Sequence, residues 1–483
     1  MPLLKHPPPK APLYVYIDKQ FREWWHQKGY PPLHAKDNVM RVKKALQGHP
    51  ESPRLWATLI DNIIINLGFK SCTHEPNLYV NTNYKGNLVY FMRQVDDFAV
   101  SAETKSIAEN VIEDINSKMT VKVRSLGVVN RFNGVDITQS EFFIKISNET
   151  YINKILKDKQ WLNASIPGMY SPQYTPMHHD PEFNKTIEEA EPIPNDELKL
   201  VEKEFGFSYK QGIGELIYAL VTCRPDISFP LIKLSQYSSK PARIHFDAVK
   251  GLYQYLKDTK SEGIHYWRKN SRKDLPSTPL PTTLTDYKNY DPHPSKTTHK
   301  AERLQLHVDA SYAGDVTHRK SVTGIVAFMA GGSILYKTKY QDVIALSSTE
   351  AEFIAACEAG KNSLYIRSIL QDLGLPQDQA TIIYEDNQGA IAMANSGRPT
   401  KRTKHIDTRH FAIQSWVEQD LIELQRIPTN DNSSDSLTKN TPRLLFNRHT
   451  DYVLGRSIPQ YSPVYTTIQT PYTQTYDALS TGG

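Results

Sequence analysis

The sequence predicts an α+β module, a helical connector and a compact α/β module with a mixed sheet and flanking helices, in that order along 483 residues. Three observations predict it. Short strand-like and helical runs alternate up to about residue 147. Helical spacing dominates 148–268, and apolar periodicity vanishes over 269–300. A strand-rich start with interleaved helices then resumes at 301.

Each element has its own reason. Residues 1–12 are Pro-rich and predict no regular structure. Leu55, Leu59, Ile63, Ile64 and Leu67 fall at helical spacing, and Gly68 ends the run. The stretch 88–100 reads as two strands meeting at Asp96 and Asp97, which puts both acids at a hairpin tip, and 106–119 reads as a helix. In the connector the clearest helices are 151–161 and 244–259, separated in part by a Pro-rich, acidic loop near 163–200. Pro, Thr, Ser and Lys make 269–300 a linker. The 301–440 module predicts strands at 304–308, 325–328 and 334–336, a long helix at 348–373 and a strand at 381–384. Tyr452, Tyr461, Tyr465, Tyr472 and Tyr476, set among Thr, Ser, Pro and Gln without period, make 441–483 a largely disordered tail.

Composition narrows the classes. With 39% apolar, 23% charged and 10% aromatic positions, ordinary cores form and wholesale disorder is excluded. Fifty-seven Lys+Arg against 52 Asp+Glu leave a formal charge of +5, which permits a polyanionic partner without requiring one. Cys72, Cys223 and Cys357 lie far apart, against a disulfide framework or zinc site and in keeping with a reducing, intracellular compartment. The most apolar stretch, 59–69, is broken by Asp61, Asn62 and Asn66, and the start lacks a signal-peptide core, so neither membrane insertion nor Sec export is expected.

Four acids fall at predicted element ends: Asp309 after the first strand of the last module, Glu350 at the start of its long helix, Asp386 after a later strand and Asp435 opening a late helix. Each also has an ordinary structural reading. Asp309 could simply close a strand, Glu350 could be the acid of a capping box begun by Ser347, and Asp386 and Asp435 could be helix N-caps. Converging carboxylates repel one another unless cations lie between them. Phosphodiester hydrolysis uses such cations, two Mg²⁺ about 4 Å apart, and needs no nucleophilic side chain.

The residues around those acids carry a resemblance. Val308-Asp-Ala-Ser-Tyr-Ala-Gly-Asp315, Arg319-Lys-Ser-Val-Thr-Gly324, Ala345-Leu-Ser-Ser-Thr-Glu-Ala-Glu-Phe353, Glu385-Asp-Asn387, Thr403-Lys-His-Ile-Asp407 and Asp435-Ser-Leu-Thr-Lys439 resemble, in order and spacing, the ribonuclease H domain of copia-type retrotransposon Pol polyproteins. The resemblance spans 301–440 and implies Asp309, Glu350, Asp386 and Asp435 as ligands of two Mg²⁺, with Mn²⁺ as a substitute. Ser434 departs from the family's usual Ala, another small residue. Arg398, Lys401, Arg402, Lys404, His405, Arg409 and His410 form a basic run that reads either as a solvated loop or as phosphate contacts to a nucleic-acid backbone. The resemblance favours contacts to an RNA:DNA hybrid. His405 reads as a packing histidine or a proton-transfer group.

Upstream, Ala45-Leu-Gln-Gly-His-Pro-Glu-Ser-Pro-Arg-Leu-Trp56, Leu67-Gly-Phe69, Gln94-Val-Asp-Asp-Phe98, Leu126-Gly127, Thr175-Pro-Met177, Gly214-Glu-Leu-Ile-Tyr218 and Cys223-Arg-Pro-Asp-Ile227 resemble the palm (13–147) and thumb or connection (148–268) of the copia-type reverse transcriptase. By residue type alone, Asp96 and Asp97 read equally as an exposed Asp-Asp turn. The resemblance implies them as metal-binding acids of a polymerase acting on template RNA and a DNA primer. Gln94 stands where the family usually has an aromatic residue. The family's first catalytic Asp lies upstream of the segment matching Leu13 to Phe21, and Asp18 sits just past that motif. The expectation is therefore an N-terminally incomplete polymerase followed by an intact ribonuclease H module, acting inside cells in retrotransposon particles, cytoplasmic or nuclear. Polymerase activity with upstream residues supplied, or an inert nucleic-acid-binding remnant, are the alternatives.

Overall fold

The structure, a computed structural model, describes residues 13–34, 39–42, 49–119, 122–140, 143–268, 303–314, 318–395 and 407–456. The segments expected as Pro-rich start (1–12) and linker (269–300) lie outside the described residues, as does the tail beyond 456. The chain divides into two compact units, Met1–Val129 with Asp372–Gly374, and Asn130–Gln371 with Leu375–Gly483.

In the first unit β1 (Leu13–Tyr16) pairs antiparallel with β2 (Val39–Val42), and α1 (Lys19–Gln27) lies between them in sequence. Asp18 caps α1 by accepting the Phe21 N–H, a structural duty that fits its place at a strand end. A four-stranded antiparallel sheet follows from α2 (Ser52–Asn66), with β3 (Lys70–Ser71), β4 (Leu78–Tyr84), β5 (Asn87–Gln94) and β6 (Asp97–Ser101) in sequential order. Residues of β5 alternate between buried and more exposed, as a half-buried strand requires. Val89 and Phe91 from that strand share one core with Ile60 and Ile64 of α2 and with Val111 and Ile115 of α3 (Lys105–Lys118).

The second unit begins with β7 (Arg131–Phe132), β8 (Val135–Gln139) and β9 (Phe143–Ser147), which with β10 (Gly263–Trp267) make a sheet ordered β7-β8-β9-β10. The division expected at 147/148 therefore runs through a sheet, and the compact unit starts at Asn130 instead. Between β9 and β10 lie α4 (Glu149–Asp158), α5 (Pro181–Glu189), α6 (Leu198–Phe205), α7 (Tyr209–Cys223), α8 (Ser228–Ser235) and α9 (Arg243–Asp258), around Trp161, Phe207, Phe246 and Tyr253. Part of the expected acidic loop is thus helical. Asp180 accepts the Glu182 N–H, Pro181 opens α5, and Ile187 anchors the helix in the interior. Arg224 and Asp226 are an ion pair buried out of solvent, closed by Thr259 and the Tyr255 hydroxyl.

The rest of the unit is one mixed sheet with helices. Its strands β11 (Gln305–Ser311), β12 (Val322–Met329) and β13 (Gly332–Tyr340) form an antiparallel meander. After α10 (Ser348–Asp372), β14 (Thr381–Glu385) returns parallel beside β11. After α11 (Gln388–Asn395) and α12 (Asp407–Glu418), β15 (Ile422–Arg426) adds parallel beside β14. The resulting order is β13-β12-β11-β14-β15, with β11 central and almost wholly buried. Leu306 and Val308 of β11 pack with Phe353 and Ala356 of α10 and Ile413 of α12, and the lack of a side chain on Gly360 admits Trp416 against α10.

The tail expected from 441 is ordered at its start. Residues Arg443–Val453 form α13, which buries Phe446, His449, Thr450, Tyr452 and Val453. Leu454 accepts the His265 N–H, so the segment after α13 is tied to β10. Among the described residues no helix is long and apolar enough to cross a membrane.

Candidate active site

The topology brings acids together before any chemistry is considered. Strands β11 and β14 are adjacent and parallel, so Asp309 near the end of one and Asp386 just past the other emerge at the same sheet edge. That carboxyl edge is where open α/β sheets usually place ligands. The first turns of α10 arrive at this edge with Glu352. One carboxylate oxygen from each of Asp309, Glu352 and Asp386 lies within 4.8 Å of the others, not far from twice an Mg²⁺–oxygen bond of about 2.1 Å.

The long helix contributes a different acid from the one expected. Glu350 is turned back to cap α10: its N–H donates to Ser347 Oγ at 3.1 Å, and its Oε2 accepts the Leu346 N–H at 2.8 Å. This is the capping-box reading of Ser347-Ser-Thr-Glu350, with the glutamate reaching one residue before the cap. Glu352, two residues on, points into the site. The expectation for Glu350 is corrected accordingly.

Asp435 sits on a 3-10 helix (Ser433–Leu437) laid against the sheet. Gly324, paired with Asp309 across β11 and β12, allows that approach, because a Cβ there would stand 2.6 Å from Thr438 Cγ2 and 2.8 Å from the Ser434 carbonyl. Asn432 fastens the turn by donating to the Val308 carbonyl at 2.8 Å while accepting the Ser434 N–H. His307 Nδ1 meets Ser433 Oγ at 3.0 Å. The Thr438 hydroxyl donates to Asp309 Oδ2, and Lys439 Nζ lies 2.5 Å from Asp435 Oδ1.

Electrostatics mark the cluster as costly without cations. Burial pushes the Asp309 carboxyl up, opposed by Lys439 and by the Thr438 hydroxyl. Burial and then the neighbouring Glu385, Asp309 and Asp386 push Glu352 well above the usual carboxylate range. Glu385, fully buried at the end of β14, is raised by burial even though its Oε1 accepts the Asn387 N–H. Burial and then Asp309 also raise Asp435. Among the described residues, Glu352 Oε2 and Glu385 Oε2 are buried without a hydrogen-bond partner. Unpartnered buried carboxylate oxygens facing other acids fit hard divalent cations.

Asp96 and Asp97 belong to the first unit and are exposed at the β5–β6 hairpin tip. Val95 precedes them at φ +56°, an unusual conformation for a β-branched residue, and its carbonyl accepts the Trp56 indole N–H at 2.7 Å. Among the described residues, no third acid, cysteine or histidine joins them in a metal-ligating group. Of the basic run, Arg398, Lys401, Arg402, Lys404 and His405 lie outside the described residues, while Arg409 and His410 fall within α12.

Residues 27–178 match the family described as reverse transcriptase (RNA-dependent DNA polymerase). The retrovirus-related Pol polyprotein from transposon TNT 1-94 of Nicotiana tabacum is 28% identical over 426 residues, covering 87% of this chain and 28% of that protein. Its counterpart from transposon RE1 of Arabidopsis thaliana is 25% identical over 408 residues, covering 84% of this chain and 24% of that one. The family match and these relatives support a copia-type retrotransposon Pol polyprotein. The chain spans about a quarter of the length of those two relatives. Its reverse transcriptase match covers 27–178, and the second unit carries the five-stranded mixed sheet ordered β13-β12-β11-β14-β15. A foamy viral protease-reverse transcriptase in complex with RNA/DNA hybrid overlaps 89% of this chain and 45% of its own at 15% identity, with a TM-score of 0.37. LC11-RNase H1 in complex with RNA/DNA hybrid overlaps 28% of it and 93% of its own at 13% identity, with a TM-score of 0.23.

Sequence reasoning missed Glu352, Glu385, Thr438 and Lys439 as members of the carboxylate cluster and its immediate partners. The signal for Glu352 was the Ser347-x-x-Glu350 spacing, which already gave Glu350 a competing duty.

Proposed function

We propose that the second unit hydrolyses RNA within RNA:DNA hybrids, using two Mg²⁺ (or Mn²⁺) held by Asp309, Glu352, Asp386 and Asp435. The observation that carries this reading is the gathering of Asp309, Glu352 and Asp386 oxygens at one edge of the mixed sheet. Such ions supply an activated water and neutralise the charge that develops on the leaving oxygen. The chain's own residues prepare the place. Thr438 fixes the Asp309 carboxylate, Asn432 and Gly324 hold the Asp435 turn to the sheet, and Asn387 orients Glu385 behind the cluster. Arg398, Lys401, Arg402, Lys404, His405 and Arg409 are the proposed phosphate contacts, which position a backbone without reading sequence. The test is cleavage of end-labelled hybrid RNA in Mg²⁺ by the full chain and by Asp386→Asn. Cutting by the parent and none by the variant supports the reading; equal cutting, or hybrid binding without cleavage by the parent, refutes it.

A second reading concerns the first unit. The family match over 27–178 and the carboxylate pair on a strained hairpin favour RNA-directed DNA synthesis at Asp96 and Asp97, on template RNA with a DNA primer. Primer extension on poly(rA) tests it, and extension unaffected by Asp96→Asn would defeat it.

A further inference from the structure

Asp435 is not one of the three acids whose oxygens converge within 4.8 Å; its carboxylate is engaged by an ammonium group instead. Lys439 Nζ lies 2.5 Å from Asp435 Oδ1, and Asp435 is 2% exposed while the lysine side chain is 45% exposed. The last turn of the 3-10 helix delivers this contact, since the Thr438 and Lys439 N–H groups both donate to the Asp435 carbonyl at 3.2 Å. That single turn therefore gives Asp309 a hydroxyl and Asp435 a cation. Buried carboxylates left without positive charge are strongly unfavourable. A lysine stem with a half-exposed side chain has solvent to swing into.

We propose that Lys439 is a built-in counter-cation of the carboxylate cluster, so that the protein takes one divalent ion at Asp309, Glu352 and Asp386 and admits a second only by moving the ammonium off Asp435. This rests on the metal-dependent reading above. The lysine keeps the metal-free cluster folded and makes the second site the weaker one.

The experiment is calorimetric titration of Mn²⁺ into the full chain at fixed pH, for the parent, Lys439→Met and Lys439→Arg, with thermal melts in EDTA and in Mn²⁺. The parent shows one tighter and one weaker binding event. Removing a unit charge beside the second site tightens the weaker event about tenfold or more in Lys439→Met, a solvent-screened Coulomb effect. That variant melts lower than the parent in EDTA and gains more from Mn²⁺. Lys439→Arg restores the parental pattern. If Lys439→Met does not fold, Lys439→Gln makes the same comparison while retaining a hydrogen-bond donor. Mn²⁺ uptake with unchanged affinities in the charge-free variant overturns the role of Lys439 alone, whereas no uptake by the parent defeats the metal-dependent reading itself.

Discussion

Glu350 and Glu352 are chemically identical, two residues apart and equally buried at 7% exposure, so exchanging each for Gln isolates position as the variable. Glu352→Gln removes the carboxylate that would carry the negative charge facing a bound ion. At an effective dielectric of about 20, unit charges about 4 Å apart interact by about 4 kcal/mol. At about 1.4 kcal/mol per decade, that is nearly a 1,000-fold loss of divalent-ion affinity, and of hybrid cleavage where the ion is limiting. The variant should nevertheless be well folded. Since burial and neighbouring acids raise Glu352, its folded form holds a proton more tightly than the unfolded chain does. That contribution is fully present below the unfolded pKa of about 4.3 and is lost as pH rises. Glutamine removes the loss, so the metal-free variant melts no lower than the parent at neutral pH. Glu350→Gln keeps an amide oxygen for the Leu346 N–H, costs less than about 1 kcal/mol and cleaves like the parent. Cleavage of labelled hybrid across an Mg²⁺ series, with melts in EDTA, reads all of this. Loss of activity in Glu350→Gln with retention in Glu352→Gln would refute the geometry.

Three further outcomes follow from the same structure. Gly324→Ala drives a methyl group into Thr438 and the Ser434 carbonyl, so it should cost about 1–3 kcal/mol and depress cleavage by displacing the Asp435 turn, with far-ultraviolet circular dichroism unchanged. Arg224→Met strands the buried Asp226 carboxylate and should destabilise the second unit by about 3–5 kcal/mol in urea, whereas Arg224→Met with Asp226→Leu should recover much of it. Burial holds His265 and His307 down to about 3 and His449 to about 4, against about 6.5 when unfolded. The unfolded chain therefore binds more protons between about pH 6.5 and 4, and stability present above that window is lost as pH falls through it. Urea midpoints should drop steeply over that range, and less steeply in His449→Gln.

How much the sequence revealed depended on whether one physical signal dominated at a position. Strands β5 and β6 and their Asp-Asp tip were legible because apolar runs flank two acids, and β11 to β14 were legible because short apolar strand runs are followed by one long helical run and a further strand run. Helix α5 was hidden by the acids and prolines around it, although Asp180 followed by Pro181 is itself a helix-start signal. Helix α13 was absorbed into the Tyr- and Thr-rich tail, although Phe446, His449, Thr450 and Val453 carry helical spacing. Three of the four proposed ribonuclease acids, Asp309, Asp386 and Asp435, were legible from motif order. The fourth was misplaced because an acid near a helix start answers two demands, capping and ligation, and only packing decides between them. The contributions of Gly324, Thr438 and Lys439 depend on a turn meeting a strand more than a hundred residues earlier, which local patterns do not encode.

That turn also explains why 301–440 is not a self-sufficient piece. Asp435 is held on one side by β11 and β12, through Asn432 and Gly324. The Thr338 hydroxyl of β13 donates to the Leu437 carbonyl at the end of the same turn. Val453 of α13 packs with Leu437, Val326 and Phe328, so the helix just past 440 is part of the support. The connector completes it. Trp267 of β10 donates its indole N–H to Gly455 and its backbone N–H to Ala330, and the Tyr336 hydroxyl donates to Leu220 of α7. Gly455, at φ +67°, is needed for this closure, since a Cβ there would stand 2.3 Å from the His265 carbonyl. Cutting the chain at 300 and 440 would strip away β10 and α13 together and expose the apolar surfaces they cover. Asp435 is therefore positioned by segments on both sides of the 269–300 stretch, and the acidic sheet edge and the connector are one structural problem rather than two.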